Sequence, residues 1–170
     1  GGAVVDLSAA DQIVTMDGST NTAVQSGFES VDLRAYTGFG SVVTGSDGAN
    51  VITGTPGNDR INAGKGNDTI QQAASTEANS DVINGGAGTD TMNIVAGNYA
   101  PAADSNLVAV ETITSAVTGT INVSTQTEAL TITGAANNQT IIGSASAVDT
   151  MTGGAGNDVF QFITSGAGAA

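Results

Sequence analysis

The chain has 170 residues, of which 16 are acidic and 3 basic, for a formal net charge of −13. Such a surface repels nucleic acid phosphates and anionic lipid heads, so neither is expected as a partner, and cations are. With 39% hydrophobic but only 11% charged and 4% aromatic residues, the composition excludes a disordered acidic tail and suits a thin core between closely spaced strands.

There is no cysteine and no histidine. Disulfides and thiolate metal sites are therefore ruled out, as are the commonest general base and the commonest zinc ligand. No apolar run reaches membrane-spanning length, so no transmembrane segment is expected. No amino-terminal secretory signal is visible. The chain starts Gly1-Gly2 and reads as a piece of a longer protein.

Residues 1–44 read as β-rich coils without a turn motif. Val5-Asp6-Leu7-Ser8-Ala9 recurs as Val31-Asp32-Leu33-Arg34-Ala35, each alternating apolar and polar with the period of a half-buried strand. Ile13 to Met16 is a further strand closed by the turn pair Asp17-Gly18. Ser19 to Gly27 reads as a loop. Tyr36 to Gly40 reads as a second turn, followed by the strand Ser41 to Thr44.

Residues 45–93 stack into five rows of nine, interrupted by Gln72 to Ser75. Gly-Thr-Pro-Gly-Asn-Asp-Arg-Ile-Asn (54–62) and Ala-Gly-Lys-Gly-Asn-Asp-Thr-Ile-Gln (63–71) are typical. The first four positions hold mostly small residues, the sixth a carboxylate or amide, and the eighth an apolar residue. Each row reads as a tight turn followed by a short strand, and two rows make one coil of a flattened solenoid. Residues 94–133 lose the glycine turns but keep a longer repeat. In it Glu111-Thr112-Ile113-Thr114 matches Glu128-Ala129-Leu130-Thr131-Ile132-Thr133, so the cross-section is expected to continue without metal. Residues 134–170 return to the nonapeptide. Gly134 to Ile142 is a degenerate copy, Gly143 to Thr152 a ten-residue one, and Gly153 to Gln161 a full match.

Glycine permits the positive φ of a tight turn and leaves backbone carbonyls free to converge. Calcium, a hard cation, takes six to eight oxygens from carbonyls and carboxylates. One turn with an Asp is half a site, and a second turn stacked on it supplies the rest. The pattern Gly-Gly-x-Gly-x-Asp-x-apolar-x resembles the calcium-binding nonapeptide of RTX (repeats-in-toxin) proteins. That resemblance implies an all-β fold, a right-handed parallel β-roll or β-solenoid, with each ion between turns two repeats apart. Asp59 would then pair with Asp81, and Asp68 with both Asn50 and Asp90. Asp158 would face Gln139, and Asp149 would need a partner outside the repeats. Carbonyls would come from Gly57, Gly64, Gly66, Gly86, Gly88, Gly154 and Gly156. Departures from the motif at Asn50, Thr55, Ala63, Gln139 and Thr76 to Ser80 put the full-strength sites around Asp68 and Asp90.

The absence of a nucleophile or base constellation argues against catalysis. Glu29, Glu111 and Glu128 recur at matching positions and read as ladder or turn contacts. The long Glu repeats between nonapeptide blocks resemble RTX-type bacterial S-layer proteins. This implies a secreted, cell-surface module, exported loose from a calcium-poor cytosol, that folds on calcium and self-associates into a lattice or filament. Two other readings are the carboxyl-terminal folding module of a secreted enzyme or toxin, and an adhesin or ice-binding repeat.

Overall fold

The apolar residue at the eighth nonapeptide position turns inward in row after row, and this column builds the fold. Ile52, Ile61, Ile70, Ile83, Met92 and Ile141 are all buried in one hydrophobic core. The structure, a computed structural model, describes residues 2–9, 13–16, 19–20, 28–37, 39–71, 80–144 and 147–163.

Three strands open the chain: β1 (Val4–Asp6), β2 (Ile13–Met16) and β3 (Ser19–Thr20). Four more lead into the repeats: β4 (Ser30–Asp32), β5 (Val42–Thr44), β6 (Val51–Thr53) and β7 (Arg60–Asn62). Then come β8 (Thr69–Gln71), β9 (Val82–Asn84), β10 (Thr91–Ile94), β11 (Leu107–Val108) and β12 (Thr112–Ser115). The last are β13 (Gly119–Asn122), β14 (Thr131–Thr133), β15 (Gln139–Ile142), β16 (Thr150–Thr152) and β17 (Val159–Gln161). Even-numbered strands from β4 to β16 form one seven-stranded sheet, all pairs parallel. Odd-numbered strands β5 to β11 join β1, β2 and β3 in a second seven-stranded sheet, and β13, β15 and β17 form a third.

Register follows the inward column: Ile52 pairs with Ile70, Ile70 with Met92, Met92 with Ile113, Ile113 with Ile132 and Ile132 with Met151. A one-residue slip would turn every one of these side chains outward. Each fully buried isoleucine contributes roughly 1.5–3 kcal/mol. This is an all-β parallel solenoid, as the repeat predicts.

Two features differ from the plain two-sided roll. At the start, β2 and β3 pair antiparallel, β2 along β1 and β3 along β2, so they form a hairpin flanking the second sheet and are not solenoid coils. Ser19 and Thr20, expected in a loop, are its second strand. The expected turn Asp17-Gly18 lies outside the described residues, as do Asn21 to Gly27 and Gln72 to Ser75. The near-duplicate near the start does take one shape twice: Asp6 Oδ1 accepts the Ser8 N–H, and Asp32 Oδ1 the Arg34 N–H.

In the middle, the coil after β10 is built differently. It adds Tyr99, which bridges to Ile121, and a 3-10 turn at Asp104–Asn106. A third sheet starts here, with that bridge as its first contact. From β13 onward its strands alternate with those of the long sheet.

Candidate metal centre

The residue at the sixth nonapeptide position sits at the turn just before each strand, and these residues form columns along the edges of the solenoid. In each column one carboxylate oxygen accepts the backbone N–H of the matching residue in the preceding coil. Asp68 Oδ1 takes the Asn50 N–H at 2.7 Å and Asp90 Oδ1 takes the Asp68 N–H at 2.8 Å. On another edge Asp59 Oδ1 takes the Ser41 N–H at 2.6 Å and Asp81 Oδ1 the Asp59 N–H at 2.8 Å. Near the end Asp149 accepts from Leu130 at 3.0 Å and Asp158 from Gln139 at 2.9 Å. Parallel stacking in register dictates this ladder, because it repeats the same N–H beneath the same carboxylate in every coil.

The expected neighbours are thus brought together: Asp59 with Asp81, Asp68 between Asn50 and Asp90, and Asp158 with Gln139. Asp149 stacks on Leu130, which offers no side-chain oxygen.

Glu111 was missed as a member of the Asp68–Asp90 column. Its Oε2 accepts the Asp90 N–H at 2.7 Å. The nine-residue turn has shrunk here to a corner at Ala109, the one described non-glycine residue with positive φ, at 52°. The extra methylene of glutamate reaches back where an aspartate would fall short. Its spacing of 21 residues from Asp90 hid it from a nine-residue period. The Glu29 carbonyl accepts from the Asn50 side-chain amide and the Val51 N–H, and the Glu128 carboxylate accepts the neighbouring Thr127 N–H.

The second oxygens separate the turns. Asp68 and Asp90 are 1% and 0% exposed, and the Oδ2 of each is buried with no hydrogen-bond partner. Burial raises the pKa of both carboxyls. The Asn50 and Asp68 N–H bonds lower them, and the next acid along the column, Asp90 for Asp68 and Glu111 for Asp90, raises them further. An unpartnered buried carboxylate oxygen is costly, and a cation would remove that cost. Gln139 Oε1 is likewise buried without a partner, beside Asp158, while the fourth such atom, the Tyr99 hydroxyl, lies in the core. Asp59, in contrast, accepts from the N–H and hydroxyl of both Ser41 and Thr55.

The turn glycines fit the same picture. Gly64, Gly66, Gly86, Gly88, Gly154 and Gly156 all have positive φ, and Gly57 does not. A Cβ at Gly86 would stand 2.0 Å from the Gly64 carbonyl oxygen, and one at Gly88 1.7 Å from that of Gly66. Carbonyls of one turn therefore point directly at the backbone of the next. Gly64 O also accepts the Ala87 N–H at 2.9 Å, which leaves it one lone pair. Among the described residues no three acidic side chains converge. A cation here would have to complete its shell from these carbonyls, as an oxygen-seeking ion such as calcium does. The donor set of buried carboxylate oxygens and turn carbonyls, with no nitrogen or sulfur ligand, fits that ion.

Stacked parallel coils joined by acid-capped, glycine-rich turns define a β-solenoid of the calcium-binding type. The chain matches the family model of the RTX calcium-binding nonapeptide repeat (4 copies) over residues 37–71, 75–98 and 133–161, just over half its length. It belongs to that family. No curated protein and no solved structure matches it.

Proposed function

We propose that this chain is a calcium-dependent structural module of a secreted bacterial surface protein, one that folds and self-associates when it meets extracellular calcium. The observation that carries the reading is the pair of buried, unpartnered oxygens on Asp68 and Asp90, stacked in consecutive glycine-rich turns. These two carboxylates, with carbonyls from turn residues such as Gly64, Gly66, Gly86 and Gly88, hold the ion. Asp158 and Gln139, with Gly154 and Gly156, form a second place for one. The ion supplies charge neutralisation and ties neighbouring coils together. The chain's own residues supply the turns, the ladder and the core.

Electrostatics favours a switch. Strands in a sheet lie about 4.8 Å apart, and two carboxylates at that distance repel by about 3 kcal/mol at an effective dielectric near 20. A bound ion reverses the sign. At roughly a hundredfold above its dissociation constant, each site adds about 2.7 kcal/mol to the folded state. Export in a calcium-poor, loosely folded form and assembly outside the cell follow from that difference. Self-association into a lattice or filament is supported by the apolar side chains Val148, Phe160, Phe162 and Ile163, which are exposed around β16 and β17.

The test is a far-ultraviolet circular dichroism titration, paired with negative-stain imaging. β content should rise with calcium and fall with chelator, and ordered sheets or filaments should appear only with calcium. Equal β content in calcium and chelator would sink the folding claim. Folding without assembly would leave a module of a secreted enzyme or toxin.

A further inference from the structure

We propose that the second residue of each nonapeptide decides whether its turn takes calcium: glycine or alanine leaves the turn oxygen open to the ion, whereas serine or threonine caps that oxygen from within. The inference rests on the calcium reading above and adds which turns bind and why.

Ser46, Thr55 and Ser144 hold the second position in three turns, and the backbone there behaves alike. The Ser46 N–H donates to Asn50 Oδ1 at 2.7 Å, the Thr55 N–H to Asp59 Oδ2 at 2.7 Å, and the Ser144 N–H to Asp149 Oδ2 at 2.7 Å. Each hydroxyl then accepts an N–H from further round its own turn: Gly48 for Ser46, Gly57 for Thr55 and Ala147 for Ser144. Thr55 Oγ1 also donates to Asp59 Oδ1 at 2.8 Å. The turn closes on itself, a Ser/Thr side chain standing in for a backbone turn contact. The side-chain oxygens of Asn50, Asp59 and Asp149 are all already bonded.

Where the second residue is Gly64 or Gly86, φ is +105° or +98°. No protein donor reaches Asp68 Oδ2 or Asp90 Oδ2. Ala135 fills the second position before Gln139. It too offers no hydroxyl, and Gln139 Oε1, on a side chain 3% exposed, has no partner. The three buried, unpartnered oxygens follow Gly, Gly and Ala, and the three capped ones follow Ser, Thr and Ser; Asp158, after Gly154, is half-buried and belongs to neither group. The distinction does not follow charge, because Asp59 is capped and Gln139 is open. A cation entering a capped turn would first have to break two or more hydrogen bonds. An open turn loses nothing by accepting one.

The turn at 45–50 stacks directly on the one at 63–68, through Lys65 N–H to Ser46 O and Asn50 N–H to Asp68 Oδ1. It therefore provides the test. Calcium stoichiometry is measured by isothermal titration calorimetry on the whole chain, with circular dichroism in calcium confirming native β content. Three variants are compared with the wild type: Asn50→Asp, Ser46→Gly with Asn50→Asp, and Ala135→Ser. The double variant should gain one ion per chain, and Asn50→Asp alone should gain none, since Ser46 still caps the new carboxylate. Ala135→Ser should lose one ion. A gain from Asn50→Asp alone, an unchanged count in a folded double variant, or an unchanged count in Ala135→Ser would each overturn the inference while the calcium reading stands. Should the double variant fail to fold, Ala135→Ser decides by itself. A wild type that binds no calcium would remove the functional reading, and this inference with it.

Discussion

Replacing Asp90 by asparagine should move stability in opposite directions with and without calcium. The amide oxygen of the new side chain can keep the contact to the Asp68 N–H, which spans 2.8 Å in the wild type. The change removes a buried negative charge flanked by Asp68 on one side and Glu111 on the other. Relief of one such repulsion at coil spacing is about 3 kcal/mol at an effective dielectric near 20, set against about 1–2 kcal/mol for a buried amide group without a partner. In chelator the variant should therefore be more stable than wild type by roughly 1–2 kcal/mol. In calcium it forfeits the linkage term of about 2.7 kcal/mol at a hundredfold excess over the dissociation constant, and its advantage should vanish or reverse. The assay is urea unfolding followed by circular dichroism, in chelator and at several calcium concentrations. A variant less stable than wild type in chelator, or one that gains as much from calcium, would refute the reasoning.

Asp59→Ala should act differently. It strands the buried Ser41 and Thr55 N–H groups, at about 1–3 kcal/mol each. The loss should be the same in calcium and in chelator, as urea midpoints would show. Gly88→Ala places a methyl group 1.7 Å from the Gly66 carbonyl oxygen at a φ of +147°. It should weaken calcium affinity at least tenfold by calorimetry, and a wild-type titration curve would contradict the glycine requirement. Ile132→Ala, at a wholly buried position between Ile113 and Met151, should cost about 2–5 kcal/mol without changing calcium stoichiometry.

Much of this architecture is legible in the nine-residue period. An apolar eighth residue such as Ile70 and a carboxylate at the sixth such as Asp68 give the inward column, the edge column and the parallel register together, because one repeat stacked on itself has one solution. The hairpin of β2 and β3 was not legible, since antiparallel pairing between short strands leaves no mark in a periodic pattern. Nor was the third sheet, whose first contact is a single bridge from Tyr99 to Ile121. At Ser46, Thr55 and Ser144 the signal was present but reads in one dimension as a lost or degraded glycine. Only the turn geometry shows a hydroxyl and an N–H closing the turn from within. Glu111 was placed with Glu29 and Glu128 by its sequence neighbours, whereas in space it extends the Asp68–Asp90 column.

The spacing between stacked turns also bears on how such a chain can change length. Matching positions are 18 residues apart between Asn50 and Asp68, 22 between Asp68 and Asp90, 21 between Asp90 and Glu111 and 19 between Leu130 and Asp149. Strand register is nonetheless continuous from β4 to β16. Additional residues are thus absorbed between strands, and lengthening a loop costs little, about 0.6 kcal/mol per doubling. The solenoid behaves as a rack with fixed slots and adjustable spacers. Foreign peptides inserted between β8 and β9 should be displayed at a set height along the axis, leaving the columns on either side undisturbed.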